Sequence, residues 1–343
     1  SDWREGVRHA RQQLPPQPIK TTPLPLAEIL TEASSSQVVE SLAKINQLAR
    51  TGKLRSAMEE AFHALQFAPT YLPLHITIGD LLLQEGRVPE AVLKYTIVAE
   101  SYSSRGEAHR AISVLRKVSE FSPLDMEARN RLITLMMERG DTEETIHEFI
   151  RLAEAYYSLA DLATARLTYT RALRYAQQIN VERSVKVNIL RRMADIDMQS
   201  LDWRQALRVF EQVRTLEPED EKSRTMLIDL NLGLNQPTQA LAELDNFIAY
   251  LINAGMLKKA LDFLINQVKE NPKQPALQRR LGELYRQLGQ NEAAIEQLDI
   301  AADHFTRAGN RTAAVEALVT LLTLNPPNAE YYQQLLARLQ KEQ

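Results

Sequence analysis

Cysteine is absent from the 343 residues, and glycine is scarce, with 11 positions. Without cysteine the chain has no disulfide, no thiolate nucleophile and no cysteine-ligated zinc. No apolar run approaches the roughly 18 residues that a membrane-spanning helix needs, so membrane insertion is not expected. The formal net charge of −3 provides no bulk attraction to nucleic acid. We therefore expect a cytoplasmic chain for which nucleic acid is an unfavoured partner.

Signatures of catalysis are missing as well. The six histidines include no pair at metal-ligand spacing on one helix, and no HExxH segment occurs. Every glycine is isolated, so no phosphate-binding glycine loop exists. The acidic segment EPEDEKSR, from Glu217, lies at a predicted helix start, where carboxylates complement the helix dipole. We predict that the chain is not an enzyme and holds neither a metal nor a cofactor.

The composition that remains favours helices. Hydrophobic residues make up 44% and charged residues 25% of the chain, and β-branched runs are rare. From Gln37 onward, apolar residues such as Val38, Leu42 and Ile45 recur three or four positions apart, which predicts one face of a helix that ends at Gly52. Three side chains are predicted helix caps, namely those of Ser122, Asp141 and Asp202. The predicted fold class is all-α.

Residues 1–36 differ from the rest. Five prolines between Pro15 and Pro25 rule out regular helix and favour an extended segment. We interpret residues 1–36 as a proline-rich linker or extension, and a ligand for another module is the alternative. The chain starts at Ser1 rather than Met, so a processed form or a piece of a longer protein is expected. Residues 37–343 are predicted to form one helical solenoid.

Prolines and glycines recur with a period of 54 residues. The interval separates Pro69 from Pro123, Pro218 from Pro272, and Pro272 from Pro326. Three helices per period are predicted, about seventeen in all, with long ones at about 89–105, 142–159, 237–254 and 291–308. The middle breaks step, because Pro218 follows Pro123 by 95 residues, and we predict a longer loop around the segment QQINVERS.

Two segments resemble the tetratricopeptide repeat. The family motif places small residues where two helices approach and large residues around them. The matching positions are Ile78, Gly79, Leu82, Gly86, Ala91 and Tyr95 in one segment and Leu281, Gly282, Tyr285, Gly289 and Ala294 in the other. The resemblance implies a right-handed α-α superhelical solenoid whose concave groove binds peptides or helices of other proteins.

Placing the motif on this chain yields a hypothetical partner-binding set. Its members are Asn46, Asp80, Asn130, Thr134, Arg191, Arg192, Asp229, Arg279, Glu283 and Arg286. The clamp by which some family members hold a terminal carboxylate is not predicted, because Leu42 and Thr77 stand where lysine and asparagine are needed.

A basic stretch runs from Arg166 to Arg214, with ten basic and five acidic residues. It is interpreted either as a patch for an acidic protein partner, a phosphate-bearing ligand or nucleic acid, or as solvated helix faces. Sparse aromatic residues place an acidic protein ahead of nucleic acid.

Two functional hypotheses follow. The first is a monomeric, non-catalytic scaffold that binds one or more proteins along its groove. The alternative is a sensor or regulatory segment of a larger signalling or transcriptional protein, which an upstream DNA-binding or kinase domain in the open reading frame would favour. The last helix, from Ala329, is predicted to be a polar cap with Tyr331, Leu335, Leu336 and Leu339 on its apolar face.

Overall fold

The computed structural model describes residues 36–341, and all regular elements in this range are α-helices. Their number, 17, confirms the all-α prediction and the predicted helix count. The predicted linker lies outside the described residues except for Ser36, where the first helix begins. In chain order the helices are α1 (Ser36–Arg50), α2 (Leu54–Phe67), α3 (Leu72–Gln84), α4 (Val88–Ser104), α5 (Ala108–Phe121), α6 (Met126–Arg139), α7 (Thr142–Ser158), α8 (Leu162–Gln178), α9 (Arg183–Gln199), α10 (Trp203–Leu216), α11 (Glu221–Gly233), α12 (Pro237–Asn253), α13 (Leu257–Glu270), α14 (Pro275–Gln287), α15 (Asn291–Arg307), α16 (Arg311–Leu322) and α17 (Ala329–Lys341).

Contacts divide the described residues into two compact units, with the boundary between residues 196 and 197, inside α9. Consecutive helices pack together from α1 to α8 in the first unit and from α10 to α17, which is the local arrangement of an α-α solenoid. The first unit fully buries Ile45 and Tyr95, and the second fully buries Phe247. Large apolar side chains of this kind stabilise a helix by roughly 1.5–3 kcal/mol each, so packing between helices supplies most of the stability.

The three-helix period is present as predicted. The four helices expected to be long, α4, α7, α12 and α15, each contain 17 residues and begin within one residue of the predicted positions. Between prolines 54 residues apart, one long helix is flanked by two shorter ones, as in α3 to α5 and α11 to α13.

The predicted long loop in the middle of the chain is wrong. Only residues 179–182 separate α8 from α9, and this length equals that of the connections at 68–71, 122–125, 217–220 and 271–274. The period breaks for two reasons: α8 is extended to 17 residues, and only two helices, α9 and α10, lie between α8 and Pro218. Glycine and proline spacing could not reveal this, since neither helix end carries a glycine.

A left-handed residue ends most of the helices. Gly52, Gly86, Gly106, Gly140, Gly255, Gly289 and Gly309 have positive φ, and so do Ala160, Asn180, Leu201, Asn235 and Asn325. At Gly86 the amide of the next residue, Arg87, donates to the carbonyl of Leu82 at 2.8 Å, and Gly86 itself donates to Leu83. This pattern satisfies carbonyls that the helix end leaves unpaired. Ala160 and Leu201 adopt the same conformation with a side chain that strains it.

Side chains also join helices that are two apart along the chain. In the first unit Lys117 of α5 donates to Asp80 of α3 at 2.8 Å, and Arg131 of α6 pairs with Glu100 of α4. In the second unit Asn271 of α13 donates to Asp229 of α11, whereas Arg280 of α14 pairs with Asp245 of α12. Odd-numbered helices therefore neighbour odd ones and even neighbour even, so each unit has an odd layer and an even layer. Because a period has three helices, equivalent helices of successive periods within a unit fall in opposite layers.

The small residues of the motif mark the closest helix approaches. A Cβ on Gly79 would lie 2.8 Å from Cζ of Tyr95, and one on Gly282 would lie 2.7 Å from Cγ of Leu298.

Of the three predicted helix caps, only one is confirmed. Asp202 accepts from the amide of Gln205, but Asp141 accepts no capping bond, and Asp125 rather than Ser122 caps α6. Pro123 lies in the connection and not in the helix, which is why Ser122 precedes the start by too many residues.

Replacing Gly282 by alanine should destabilise the protein. The new methyl group would clash with the buried Leu298 and with the Ala294 carbonyl at 3.2 Å, and overpacking of this kind costs about 1–3 kcal/mol. Gly233→Ala is the matched control, because its Cβ would meet no atom closer than 3.4 Å and alanine favours helix. In urea unfolding, the midpoint concentration should be lower than that of the native chain for Gly282→Ala but not for Gly233→Ala. Equal midpoints for the two variants would contradict the close approach.

Replacing Leu201 by glycine should stabilise the protein by about 0.5–1 kcal/mol. The side chain is 74% exposed and contributes little packing, while its φ of 58° is unfavourable for any residue with a Cβ. Gly140→Ala, at φ 85°, is the reverse change and should cost a similar amount. Differential scanning calorimetry of both variants checks the pair of signs. A lower melting temperature for Leu201→Gly would show that this residue is not strained.

Candidate interaction surface

The layers divide the predicted partner-binding set. In the first unit Asn46 and Asp80 lie on α1 and α3 of the odd layer, but Asn130 and Thr134 lie on α6 of the even layer. Arg191 and Arg192 lie on α9, the odd helix at the end of this unit. In the second unit Asp229 lies on α11, and the other three, Arg279, Glu283 and Arg286, lie on α14 of the opposite layer. The resemblance assigned all of them to one surface because it treats equivalent positions of successive periods alike.

Asp80 is held inside its repeat. Its carboxylate accepts hydrogen bonds from the Tyr95 hydroxyl and from Lys117, and only 16% of its side chain is exposed. Burial, together with this carboxylate, raises the pKa of Tyr95 well above its ordinary value. Lys117 also lies over the Tyr95 ring. The group therefore joins α3, α4 and α5 and is primarily structural.

The two predicted residues on α6 bond to their own helix. The Asn130 amide donates to the Met126 carbonyl at 2.8 Å, and the Thr134 hydroxyl donates to the Asn130 carbonyl at 3.0 Å. Thr134 is exposed, whereas Asn130 and Asn46 are half-buried. These side chains remain within reach of a partner that covers the even layer, with the exception of Asn46.

In the second unit the predicted residues form two polar groups. Asp229 accepts from Asn271 at 3.3 Å, and burial raises the pKa of this carboxyl while the hydrogen bond opposes the rise. Arg279 pairs with Glu316 of α16 and with Glu283 of its own helix. Arg286 is exposed near the end of α14. Of these four side chains, Arg286 is the most accessible.

The basic stretch is partly engaged in packing. In the first unit Arg171 lies over the Phe149 ring, and Arg166 donates to Thr170. Arg192 is exposed and lies close enough to Tyr169 to influence its pKa. Burial raises the pKa of Tyr169 to about 12; Glu154 adds to the rise, and the positive charge of Arg192 opposes it. In the second unit Arg214 pairs with the buried Glu243. Solvated and packed helix faces therefore account for much of the charge excess.

Two buried ion pairs were not predicted. Arg129 of α6 pairs with Glu148 of α7, with only 8% and 5% of the side chains exposed, and Arg224 of α11 pairs with Glu243 of α12 in the same way. Each arginine also donates to the carbonyl of the proline six residues before it, Pro123 or Pro218. The paired residues are 19 positions apart in both cases, and recurrence at this offset is the signal that a search of the sequence could have used.

Exposed apolar side chains in the first unit concentrate on its even helices. Leu93 and Ile97 of α4 are 62% and 50% exposed, Phe62 of α2 is 57% exposed, and Leu167 of α8 is 61% exposed. The exposed positions of α3 and α5 are polar or charged instead. We call the outer side of α2, α4, α6 and α8 the even face. Its apolar residues form no part of the core, so they are available for contact with another molecule.

Within residues 36–341, no group of three or more metal-ligating side chains comes together, and no helix is both long and apolar enough to cross a bilayer.

The last helix, α17, differs from its prediction in one respect. Tyr332 and Leu339 provide its buried contacts, whereas Tyr331 is 61% exposed because it lies one position off the inward-facing side. Leu335 and Leu336 are half-buried, in agreement with their assignment to the apolar face.

Comparison with known proteins finds similarity only to solved structures. No family model and no curated protein matches it. Among solved structures it resembles the TPR2AB domain of yeast Sti1 in a complex with pHSP90, at 13% identity, covering 85% of this chain and 99% of that one, with a TM-score of 0.28. It also resembles a tetratricopeptide repeat protein from Parabacteroides merdae, at 14% identity, covering 89% of this chain and 100% of that one, with a TM-score of 0.21. A third similar structure is MamA, at 11% identity, covering 62% of this chain and 96% of that one, with a TM-score of 0.27.

The solved structures thus include tetratricopeptide repeat proteins, the family that the motif resembles. Their low identities and TM-scores transfer no function, and the repeat packing described above is this chain's own.

Replacing Glu148 by glutamine should destabilise the protein strongly. The change leaves the buried Arg129 cation without its counter-ion, and breaking a buried pair costs about 3–5 kcal/mol. Glu144→Gln, on the same helix, is the matched control. Its pair with Arg116 is exposed, so it should cost no more than about 1 kcal/mol. Chemical unfolding of both variants measures the difference. Similar losses would show that the Arg129 pair does not act as a buried one.

Proposed function

We propose that the chain is a non-catalytic scaffold that binds segments of other proteins, and that in the first unit it binds them on the even face. The observation that carries the proposal is the set of exposed apolar side chains on α2, α4 and α8. Proteins expose such residues singly without consequence, but several of them on the even helices of one unit favour an interaction site.

Polar members of the predicted set complete this surface. Thr134 and Asn130 of α6 lie in the same layer as Leu93 and Ile97 of α4. The ion pair between Arg131 of α6 and Glu100 of α4 joins these two helices. Thr134 and Asn130 can supply hydrogen bonds around an apolar centre, which is the usual composition of a protein interface. Asn46 and Asp80 belong to the odd layer, where Asp80 is structural, and Arg191 and Arg192 lie on α9, so they are not part of this surface.

The second unit offers a separate polar position on α14. Arg279 and Glu283 are fixed by their ion pairs, whereas Arg286 is exposed and can contact an acidic group directly. Asp229 lies in the other layer of that unit.

We further propose that the protein acts as a cytoplasmic monomer. Light scattering should return a mass near 39.0 kDa, the mass of one chain. Twice that mass would contradict the monomer.

Affinity capture tests the scaffold function. The native chain and the double variant Leu93→Ser, Ile97→Ser are each immobilised and exposed to nuclease-treated lysate, and bound proteins are quantified by mass spectrometry. Proteins bound by the native chain should be depleted at least about ten-fold on the variant, because apolar anchors dominate such interfaces. Val319→Ser, which removes a 47% exposed apolar residue from α16, is the matched control and should retain them. Failure of the native chain to enrich any protein would contradict the scaffold function.

A further inference from the structure

One position has the same structural role after four of the connections that contain a proline. The side chain six residues after the connecting proline bonds to that proline's carbonyl oxygen. The pairs are His75 Nε2 with Pro69 at 2.7 Å, Arg129 Nε with Pro123 at 2.8 Å, Arg224 Nε with Pro218 at 3.2 Å and Gln278 Nε2 with Pro272 at 3.4 Å. The same site of the fold is thus occupied by three kinds of side chain, histidine, arginine (twice) and glutamine, which permits a comparison among the four periods.

The residue facing this position lies on the next helix, 19 positions further along. In two periods it is a glutamate, Glu148 or Glu243, and it forms the buried ion pair with the arginine. In the period that starts at Pro272 both positions are uncharged, Gln278 and Gln297. The two positions thus hold either a paired base and acid or two uncharged amides.

The first period breaks this rule, because it places Lys94 opposite His75. Burial is the main cause that lowers the pKa of each group, and repulsion by Lys94 lowers that of His75 further. Among the residues that the structure describes, none pairs with the Lys94 ammonium. The site has two basic residues where two of the other periods hold an arginine and a glutamate, so it lacks the carboxylate of those two periods.

The surroundings of Lys94 make the site reachable from outside. Lys94 and His75 are both half-buried rather than enclosed. Lys94 directly follows Leu93, and Ile97 comes one turn after Leu93 on the same helix, so two of the exposed apolar residues of the even face lie beside Lys94 on one side. A segment that covers Leu93 and Ile97 would pass next to the lysine.

We propose that Lys94, with His75 behind it, receives the side-chain carboxylate of an aspartate or glutamate from a bound partner segment whose apolar residues cover Leu93 and Ile97. The proposal rests on the scaffold function and specifies its partner as an acidic, amphipathic segment. The carboxylate supplies the charge that Glu148 and Glu243 supply in their own periods. Because the site is half-desolvated, an opposite charge there contributes more than on an open surface.

Peptide display on the complete 343-residue chain tests the proposal. A library of random 16-residue peptides is selected on the native protein, and the enriched peptides are measured against Lys94→Glu. We expect enriched peptides to combine one acidic residue with large apolar residues, and to bind the variant at least about ten-fold more weakly, as loss of a charge partner at an interface does. Lys258→Glu, an exposed charge reversal on α13, is the matched control and should bind them normally.

A charge swap separates recognition from damage to the fold. A peptide in which lysine replaces its acidic residue should bind Lys94→Glu better than it binds the native chain, and no structural defect would produce that gain. The unfolding midpoint of Lys94→Glu should equal or exceed that of the native chain, because the variant recreates a base facing an acid.

The outcomes distinguish the two proposals. Peptides that lack acidic residues, or that bind Lys94→Glu and the native chain equally, would overturn the carboxylate site and leave the scaffold function standing. If the native chain enriches no peptide at all, the scaffold function fails, and the carboxylate site fails with it.

Discussion

The packing of helices in two layers is the constraint on which the rest of the structure depends. A helix must bury its apolar stripe, and short connections require that consecutive helices lie antiparallel and in opposite layers. Ion pairs between helices two apart, such as Lys117 with Asp80, hold each layer together. An alternation by two is then combined with a sequence period of three helices, and equivalent positions within a unit meet different surroundings in successive periods.

This mismatch explains why the candidate site was harder to predict than the fold. The period itself, the four long helices and the helix ends at glycine follow from local chemistry, since glycine and proline act on the backbone where they stand. The left-handed ends at Ala160 and Leu201 and the shortened period at α9 and α10 could not be predicted, because no breaker marks them. Thr134 and Asp80 occupy equivalent positions, but one is exposed on the even layer and the other is bonded within the odd layer. Only the three-dimensional packing distinguishes them.

The buried pairs illustrate a second limit. Arg129 and Glu148 are ordinary helix-surface residues when the sequence is considered alone, because their partnership depends on how α6 is rotated against α7. Once one pair is seen, its place relative to the connecting proline predicts where its counterparts lie, and Arg224 with Glu243 occupies the corresponding place after Pro218. The departures from the pattern are then informative. His75 with Lys94 and Gln278 with Gln297 show that the position tolerates two amides and even two basic residues, so its chemistry is free to serve purposes other than stability.

The three-helix period also governs how such a chain can lengthen. Inserting one period adds an odd number of helices, so every later helix of that unit would exchange layers and present its former outer side to different neighbours. Inserting two periods would preserve all assignments. A two-helix unit such as α9 with α10 can be added without this exchange, because it contains one helix for each layer. Duplications of single periods would therefore be selected for side chains that are acceptable in both layers, whereas residues specialised for one surface would be retained only where the parity of the helix count is preserved.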